Sequence, residues 1–255
     1  MILTDTHLHL HFPQYDADRE DVIRRAFAGG VGRLINIGTG LEDSRKAVAV
    51  AERYPEVYAA VGYHPHESKN ATAGDLAGLE ALVAHPRVVA IGEVGLDYFH
   101  DHSPRNVQME LFHTFLGWCR KHQKPLILHC REAYGDMLRI LRETLPVPCR
   151  GVLHCFSSDA ATMEKFLEMG FHIAFGGAIT YKNNDALQEA CRACPADRLV
   201  LETDAPYLAP QSKRGRRNEP LYMIETAEFI AKLRGDTVDR IAAATTENAK
   251  KLFGL

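Results

Sequence analysis

The chain has 255 residues, of which 46% are hydrophobic and 25% are charged, and its formal net charge is −3. This composition is typical of a soluble globular protein, and the length accommodates one large domain or two small ones. The charge excludes a positive field over the whole surface, so any binding of phosphate groups depends on local cations. The sequence has no apolar run near the roughly 20 residues of a membrane span and no signal-peptide pattern at its N-terminus.

The six cysteines are scattered along the chain, which indicates a reducing environment and predicts a cytoplasmic location. Cys191 and Cys194 form a C-x-x-C pair, the spacing of half a zinc site. A structural zinc ion requires four ligands, and neither a second pair nor a histidine lies nearby in the sequence. We therefore interpret these two cysteines as structural residues.

Short apolar runs alternate with amphipathic stretches along the chain, as expected for buried parallel strands covered by helices. The predicted strands are residues 2–5, 34–38, 57–62, 88–94, 126–130, 151–156, 172–177 and 199–204. The predicted helices are residues 16–30, 44–54, 73–85, 106–122, 134–145, 159–170, 185–194, 221–235 and 236–254. Eight strands, each followed by a helix, predict a single-domain TIM (β/α)8 barrel over residues 1–255. The alternative is an open doubly wound sheet, which the strand count and the lack of a glycine-rich dinucleotide loop after the first strand disfavour.

Side chains able to bind metal ions stand at the C-terminal ends of five predicted strands, the end that carries the active site in TIM barrels. They are His7, His9, Glu93, His129, His154 and Asp204. A single histidine of this kind is usually a hydrogen-bonded core residue, but six such residues at one rim favour a metal site. Six ligands exceed the four of a tetrahedral zinc ion and suit two divalent cations about 3.5–4 Å apart that share a carboxylate.

The first strand and the residues after it carry three histidines at alternate positions, in the sequence MILTDTHLHLHF. Alternation directs His7 and His9 to the same face, toward the barrel mouth. The strand is predicted to end before His11, which we interpret as a loop or supporting histidine. Cys130 and Cys155 directly follow proposed ligands, so they are predicted to face the helices as small buried hydrophobes.

Six segments, in order along the whole chain, resemble the TatD family of metal-dependent deoxyribonucleases. They read DTHLHL, GYHPHE, IGEVGLDYF, LHCREA, LHCFS and LETDAPYLAP, the last followed by RGRRNEP. The resemblance implies a TIM barrel of the amidohydrolase superfamily with a divalent-metal centre. Where the family often has His-Leu-Asp after its first strand, this chain has His-Leu-His, with His11 in place of the acid.

The resemblance also implies how the ligands are shared between two metals. The first metal would be held by His7, His9, Glu93 and Asp204. The second would be held by Glu93, His129 and His154, so that Glu93 bridges the pair. The sequence does not choose among Mg²⁺, Mn²⁺ and Zn²⁺, since histidine favours zinc by affinity whereas availability decides in cells.

Two such metals would lower the pKa of a bound water from about 15.7 to about 7 and would stabilise the charge that develops on a phosphate. Glu93 and Asp204 are the predicted catalytic carboxylates. Asp204 either accepts the proton of the attacking water or acts only as a ligand, and the sequence leaves both roles open.

Candidate substrate-binding residues come from the loops that follow the strands. They are His64, His66, Asp97, Arg131, Tyr207, Arg214 and Arg217. A run of charges is usually a solvated surface, but the arginines of SKRGRRNEP lie where a phosphate would dock, and guanidinium groups suit phosphates. Tyr207 offers a face for stacking a base, and Asp97 is predicted to orient either a metal ligand or a substrate group.

The resemblance implies a deoxyribonuclease that removes nucleotides from the 3′ ends of single-stranded or frayed DNA. One alternative is a metal-dependent esterase or deacylase, including an enzyme that acts on aminoacyl esters. A second alternative is a non-catalytic barrel that binds a partner, which would have lost metal ligands that this chain retains. We predict a monomer that binds DNA as its substrate, with no membrane contact and no obligate protein partner.

Overall fold

The computed structural model describes residues 2–255, in which eight parallel strands alternate with helices. The strands are β1 (Leu3–Leu8), β2 (Val31–Ile37), β3 (Val57–Val61), β4 (Val88–Asp97), β5 (Leu126–Arg131), β6 (Gly151–Leu153), β7 (His172–Phe175) and β8 (Leu199–Leu201). The helices are α1 (Arg19–Ala28), α2 (Leu41–Arg53), α3 (Ala73–Val83), α4 (Arg105–His122), α5 (Tyr134–Thr144), α6 (Ala160–Glu168), α7 (Asp185–Ala193), α8 (Met223–Arg234) and α9 (Val238–Phe253). The strands pair in sequence order, so the predicted TIM barrel is confirmed. Among these residues, no helix has the combination of length and hydrophobicity that crossing a bilayer requires.

Two layers of apolar side chains build the core, as the alternation of strand residues requires. On β5, for example, Leu126 and Leu128 face outward and pack in the layer between the strands and the helices. Between them, Ile127 faces inward and packs in the barrel interior with residues such as Ile35 and Val200. Strands buried on both faces are continuously apolar, which explains why the eight runs were recognisable in the sequence.

The last helix, α9, closes the end of the barrel at which the strands begin. Leu252 and Phe253 belong to the same apolar cluster as the barrel interior. Near the start of β6, Arg150 donates a hydrogen bond to the Leu252 carbonyl at 2.9 Å, and Asn248 donates to the Leu199 carbonyl at 2.8 Å. The opposite end, where the strands terminate, therefore remains open for a site.

The barrel closes between β8 and β1 through a buried carboxyl group and the backbone beyond β8. Asp5 accepts hydrogen bonds from the backbone N–H of Thr203 at 3.0 Å and from its hydroxyl at 2.6 Å. One residue later, the N–H of Asp204 donates to the carbonyl of His7 at 2.8 Å. This seam places Asp204 beside the histidines of the first strand.

Strands β6 and β8 each end three residues earlier than the sequence predicts, before His154 and Asp204 respectively. The backbone then turns, and both Cys155 (φ 44°) and Asp204 (φ 56°) adopt left-handed conformations. Alternation does not apply in such a turn, and Cys155 lines the cavity described below, so its predicted orientation toward the helices is wrong. Cys130 also borders the cavity, but it lies within β5 and its side chain packs in the outer apolar layer, as predicted.

The C-x-x-C pair lies at the end of α7. Cys191 and Cys194 are both buried in the outer apolar layer, and Arg234 donates a hydrogen bond to the Cys194 carbonyl at 2.8 Å. Within residues 2–255, neither cysteine belongs to a group of side chains placed to hold a metal. This placement fits a structural role for the pair.

Candidate metal centre

The predicted metal ligands converge at the end of the barrel where the strands terminate, around a cavity of about 700 Å³. They are His7, His9, Glu93, His129, His154 and Asp204. His7 is completely buried, whereas the side chain of Asp204 retains 15% exposure. So many polar groups in a protein interior require partners, because burying an unpaired polar group is costly.

Glu93 lies at the middle of the centre, between two groups of possible ligand atoms. Its Oε1 is 2.8 Å from Nδ1 of His129 and 2.9 Å from Nε2 of His154. Its Oε2 is 3.4 Å from Nε2 of His7. A carboxylate whose two oxygens face separate groups of ligands has the arrangement of a bridging ligand.

The group on the other side of Glu93 consists of His7, His9 and Asp204, whose ligand atoms lie within 4.8 Å of one another. Oδ1 of Asp204 is 3.7 Å from Nε2 of His7 and 3.6 Å from Nε2 of His9, distances longer than hydrogen bonds. Neither ring nitrogen of His7 has a hydrogen-bond partner. An unsatisfied buried polar group costs about 1–3 kcal/mol, and a cation held by the three side chains would remove that cost. The residues therefore fit a metal ion.

Two of the histidines are held by partners that determine which nitrogen faces the centre. Nδ1 of His9 donates to the Ile37 carbonyl at 2.8 Å, which leaves its Nε2 as the free lone pair. Nε2 of His129 lies 2.9 Å from Oδ2 of Asp97, which leaves its Nδ1 toward Glu93. Metal-binding histidines usually have such a carbonyl or carboxylate on the far side of the ring.

Glu202 is a site residue that the sequence did not assign to a role. Its Oε2 lies 3.5 Å from Nδ1 of His154, and its Oε1 accepts a hydrogen bond from the N–H of Cys155 at 2.6 Å. The carboxylate therefore fixes the turn after β6 by a hydrogen bond and lies at ion-pair distance from the histidine ring. The available signal was the pair of acids on either side of Thr203 at the end of the last strand.

The centre combines ionised carboxylates with imidazoles whose pKa values are shifted in opposite directions. Burial opposes ionisation of Glu93, but His154, His64 and His7 outweigh it and hold the pKa of Glu93 well below its usual range. Burial likewise opposes protonation of His154, but Glu93 and Glu202 raise its pKa well above the ordinary value. At His64 burial prevails and lowers the pKa to about 4. Glu93 is therefore anionic at neutral pH, which is the form that binds metal.

Four of the predicted substrate-binding residues line the cavity, namely His64, His66, Arg131 and Tyr207. The ring of Tyr207 is exposed at the cavity mouth. The guanidinium of Arg131 lies over the ring of Phe99, at 5.0 Å from its centroid, and Phe99 is also exposed. The structure therefore brings these predicted residues to one surface beside the candidate ligands.

The other predicted substrate-binding residues do not reach that surface. Asp97 has no exposed area, and its carboxylate contacts the ring of His129. Arg217 forms a two-pronged ion pair with Asp18, at 2.7 and 2.6 Å. Arg214 lies over the ring of Tyr181, at 4.7 Å from its centroid, and does not line the cavity.

His11 is buried to one side of the centre. Its Nδ1 lies 3.1 Å from Oδ1 of Asn36, and its Nε2 lies 2.9 Å from Oδ1 of Asp43. Both ring nitrogens therefore lie close to polar atoms of the protein, which fits a supporting histidine.

A second, more open depression of about 950 Å³ adjoins the cavity. Phe12, Thr39, Glu67 and Tyr207 line both of them. The stacking of Phe12 on His9, with ring centroids 4.5 Å apart, places an aromatic ring between the depression and the candidate ligands. The two hollows are therefore neighbours that share part of their walls.

A family model for TatD-related DNases matches residues 4–254. The chain belongs to the TatD-related DNase family. The resemblance seen in the sequence is thereby confirmed. Relatives in this family carry names such as metal-dependent hydrolase and TatD exonuclease.

Three TatD-family comparisons extend over nearly the whole chain. The protein "Uncharacterized metal-dependent hydrolase YabD" of Bacillus subtilis is 42% identical over 252 residues, with 99% of both chains covered. The "3′-5′ ssDNA/RNA exonuclease TatD" of Citrobacter rodentium is 37% identical, covering 98% of this chain and 97% of the relative. The crystal structure of YjjV, a TatD homologue from Escherichia coli K12, has a TM-score of 0.94 at 33% identity, covering 99% of this chain and 98% of that one.

Proposed function

We propose that this TatD-family chain is a metal-dependent hydrolase of phosphodiesters that shortens single-stranded DNA from its 3′ end. The observation that carries the proposal is the position of Glu93, whose two oxygens face two separate groups of ligand atoms. In the proposal one cation is held by His7, His9, Glu93 and Asp204, and the other by Glu93, His129 and His154. Mg²⁺, Mn²⁺ and Zn²⁺ are all compatible with a mixed imidazole and carboxylate site.

Two bound divalent cations would supply an activated water and would stabilise negative charge on the phosphate oxygens. The side chains of the protein position the substrate and move the proton. Burial opposes ionisation of Asp204, but its interaction with His9 and the nearby His154 and His7 lower its pKa below the ordinary value. Asp204 is therefore anionic at neutral pH, and its exposed edge at the cavity allows it to accept the proton of the attacking water.

The cavity mouth suits single-stranded nucleic acid because a cation and exposed aromatic rings lie there together. Arg131 faces the cavity, and Phe99 and Tyr207 are 53% and 48% exposed. Stacking of bases on such rings tolerates any sequence and contributes about 1–3 kcal/mol per base. The Citrobacter rodentium relative, named as a 3′-5′ ssDNA/RNA exonuclease, supports this choice of substrate.

An esterase or deacylase acting on aminoacyl esters is the second candidate function. Arg217 is paired with Asp18, and Arg214 lies over Tyr181. Among the described residues that line the cavity, Arg131 is consequently the one arginine. A rim with few guanidinium groups holds a phosphate less tightly, which favours an uncharged ester.

The test is cleavage of 5′-labelled single-stranded DNA by metal-stripped protein after Mg²⁺, Mn²⁺ or Zn²⁺ is added back. We expect a ladder of products that shorten from the 3′ end, and we expect Glu93→Gln to abolish it. Glu67→Gln is the matched control, because Glu67 lines the cavity but its carboxylate bonds to Asn70 at 2.7 Å. This control should cleave as the wild type does.

Two results would decide against the proposed phosphodiesterase activity. One is the absence of cleavage with every metal by protein shown to bind two metals per chain. The other is equal cleavage by the wild type and Glu93→Gln. Hydrolysis of an aminoacyl ester by a sample that leaves DNA intact would support the second candidate instead.

A further inference from the structure

We propose that the chain has a third cation site, formed by His66, Asp97 and His100 beside the proposed pair of metals. The possible ligand atoms of these residues lie within 4.8 Å of one another. His66 comes from the 3₁₀ segment after β3, Asp97 from the end of β4, and His100 from the loop after β4. The proposed phosphodiesterase reaction does not use this group as a metal site.

Asp97 is surrounded by more hydrogen-bond donors than its carboxylate oxygens have acceptor positions for. Three imidazole nitrogens surround its Oδ2: Nε2 of His66 at 2.8 Å, Nδ1 of His100 at 2.9 Å and Nε2 of His129 at 2.9 Å. Its Oδ1 already accepts the backbone N–H groups of Phe99 and His100, at 3.0 and 2.9 Å. An ionised carboxylate has about two acceptor positions on each oxygen, so three donors at Oδ2 are one too many. A cation bound to His66, His100 and Oδ2 of Asp97 would take the place of the ring N–H protons that Oδ2 has no position to accept.

The backbone holds two of these ligands in place without help from their rings. The hydroxyl of Ser103 donates to the His66 carbonyl at 2.6 Å and accepts the N–H of Lys69 at 3.2 Å, which joins the two loops. Gln108 of α4 bonds to both the N–H and the carbonyl of Asp97, at 2.8 and 3.0 Å. Ligands that are positioned in advance lose little conformational freedom when the ion binds.

Two imidazoles and one carboxylate are a ligand set for Zn²⁺ rather than for Mg²⁺, which prefers oxygen ligands. Zinc bonds of about 2.0–2.2 Å in a tetrahedron would require the nitrogens and the oxygen to separate by about 0.5 Å. His100 is able to make this adjustment because its side chain is 44% exposed on a loop. His102 is a further imidazole on the same loop as His100, with its ring centroid 4.7 Å from that of His66, and either it or a water would complete the coordination.

A cation at this position would affect both the cavity wall and the metal pair. His66 and His100 line the cavity, so the ion would add positive charge where a phosphate approaches. Asp97 also contacts His129, whose other nitrogen faces Glu93. The third cation would therefore lie one imidazole ring away from the proposed bridging carboxylate.

Counting zinc tests the site without any measurement of nuclease activity. Metal-stripped protein is dialysed against Zn²⁺ with a weak competing chelator, and the zinc bound per chain is measured by atomic spectrometry. We expect His100→Ala to bind one zinc ion fewer per chain than the wild type. His113→Ala is the matched control, because it removes an exposed imidazole of α4 outside the cluster, and it should retain the wild-type count.

His100→Asn distinguishes a metal site from a network of hydrogen bonds. Its amide still donates to Asp97 but replaces the imidazole ligand, so we expect this variant also to lose one zinc ion. Equal zinc content in the wild type, His100→Ala and His100→Asn would overturn the third site. If the His100 variants lose one zinc ion and still cleave DNA, the third site is supported. If they lose one zinc ion and neither they nor the wild type cleaves DNA, the third site is still supported and only the proposed function fails.

Discussion

At the scale of single residues, the histidines near the first strand differ in what their ring nitrogens contact. His7 has no partner on either nitrogen, and His9 has a backbone carbonyl on one nitrogen only. His11 has Asn36 at 3.1 Å from one nitrogen and the carboxylate of Asp43 at 2.9 Å from the other. Alternation in the sequence placed the first two in the barrel mouth, but only these contacts show which nitrogens are free. A nitrogen that is buried and unpaired is the one that a cation stabilises.

Glu202→Gln tests whether a carboxylate behind His154 sets the affinity of the second proposed cation. The amide oxygen can still accept from Cys155, but the negative charge 3.5 Å from Nδ1 of His154 is removed. We expect the affinity of the cation assigned to His129 and His154 to fall about 10–100-fold. Titration against a chelator of known affinity measures the change, and Glu67→Gln should show none. Unchanged affinity in Glu202→Gln would mean that the carboxylate does not orient the ring.

At the scale of elements, the sequence predicts which segments are strands but not where strands such as β6 and β8 end. The predicted strands run on to Phe156 and Asp204, whereas β6 and β8 end at Leu153 and Leu201, directly before His154 and Glu202. The turns are instead determined by contacts between distant segments. Glu202 fixes the N–H of Cys155, and Asp5 holds Thr203 across the seam. These partners are close only once the barrel has closed, which is why local patterns did not reveal them.

Thr203→Val is expected to weaken the closure of the barrel. The hydroxyl of Thr203 donates to buried Asp5 at 2.6 Å, and its loss leaves a carboxyl oxygen unsatisfied. We expect the free energy of unfolding in urea to fall by about 1–3 kcal/mol. Thr4→Val is the matched control on β1, because the buried hydroxyl of Thr4 has no hydrogen-bond partner and its removal should cost little. An equal loss of stability in both variants would contradict the role given to the Asp5–Thr203 bond.

At the scale of the whole molecule, strand order explains why the candidate metal ligands could be predicted from the sequence, whereas the positions of the loop arginines could not. Parallel strands of a barrel end on one rim, so residues at their ends must meet however far apart they lie in sequence. The loop arginines have no such constraint. Arg217 pairs with Asp18 near the start of the chain, and Arg214 lies over Tyr181. Their long, flexible side chains bind the nearest suitable partner, which depends on how the loops after different strands pack.

His172 shows how pH acts on stability at the end of the barrel away from the candidate metal centre. It begins β7, where burial and the nearby Arg198 lower its pKa from 6.5 to about 4. Between these values the unfolded chain binds a proton that the folded chain does not. The contribution of His172 to stability is therefore fully present above pH 6.5 and is lost as the pH falls toward 4.

His172→Gln removes this titration while keeping a polar side chain. We expect the free energy of unfolding of the variant to rise relative to that of the wild type as the pH is lowered from 7 to about 4.5. Urea unfolding of both proteins, stripped of metal, measures the difference, in which the other histidines cancel because both chains carry them. Two curves that stay parallel over this range would show that His172 has the same proton affinity in the folded and unfolded states. Because the changed residue lies at the opposite end of the barrel, metal content and any hydrolytic activity should be the same in both proteins.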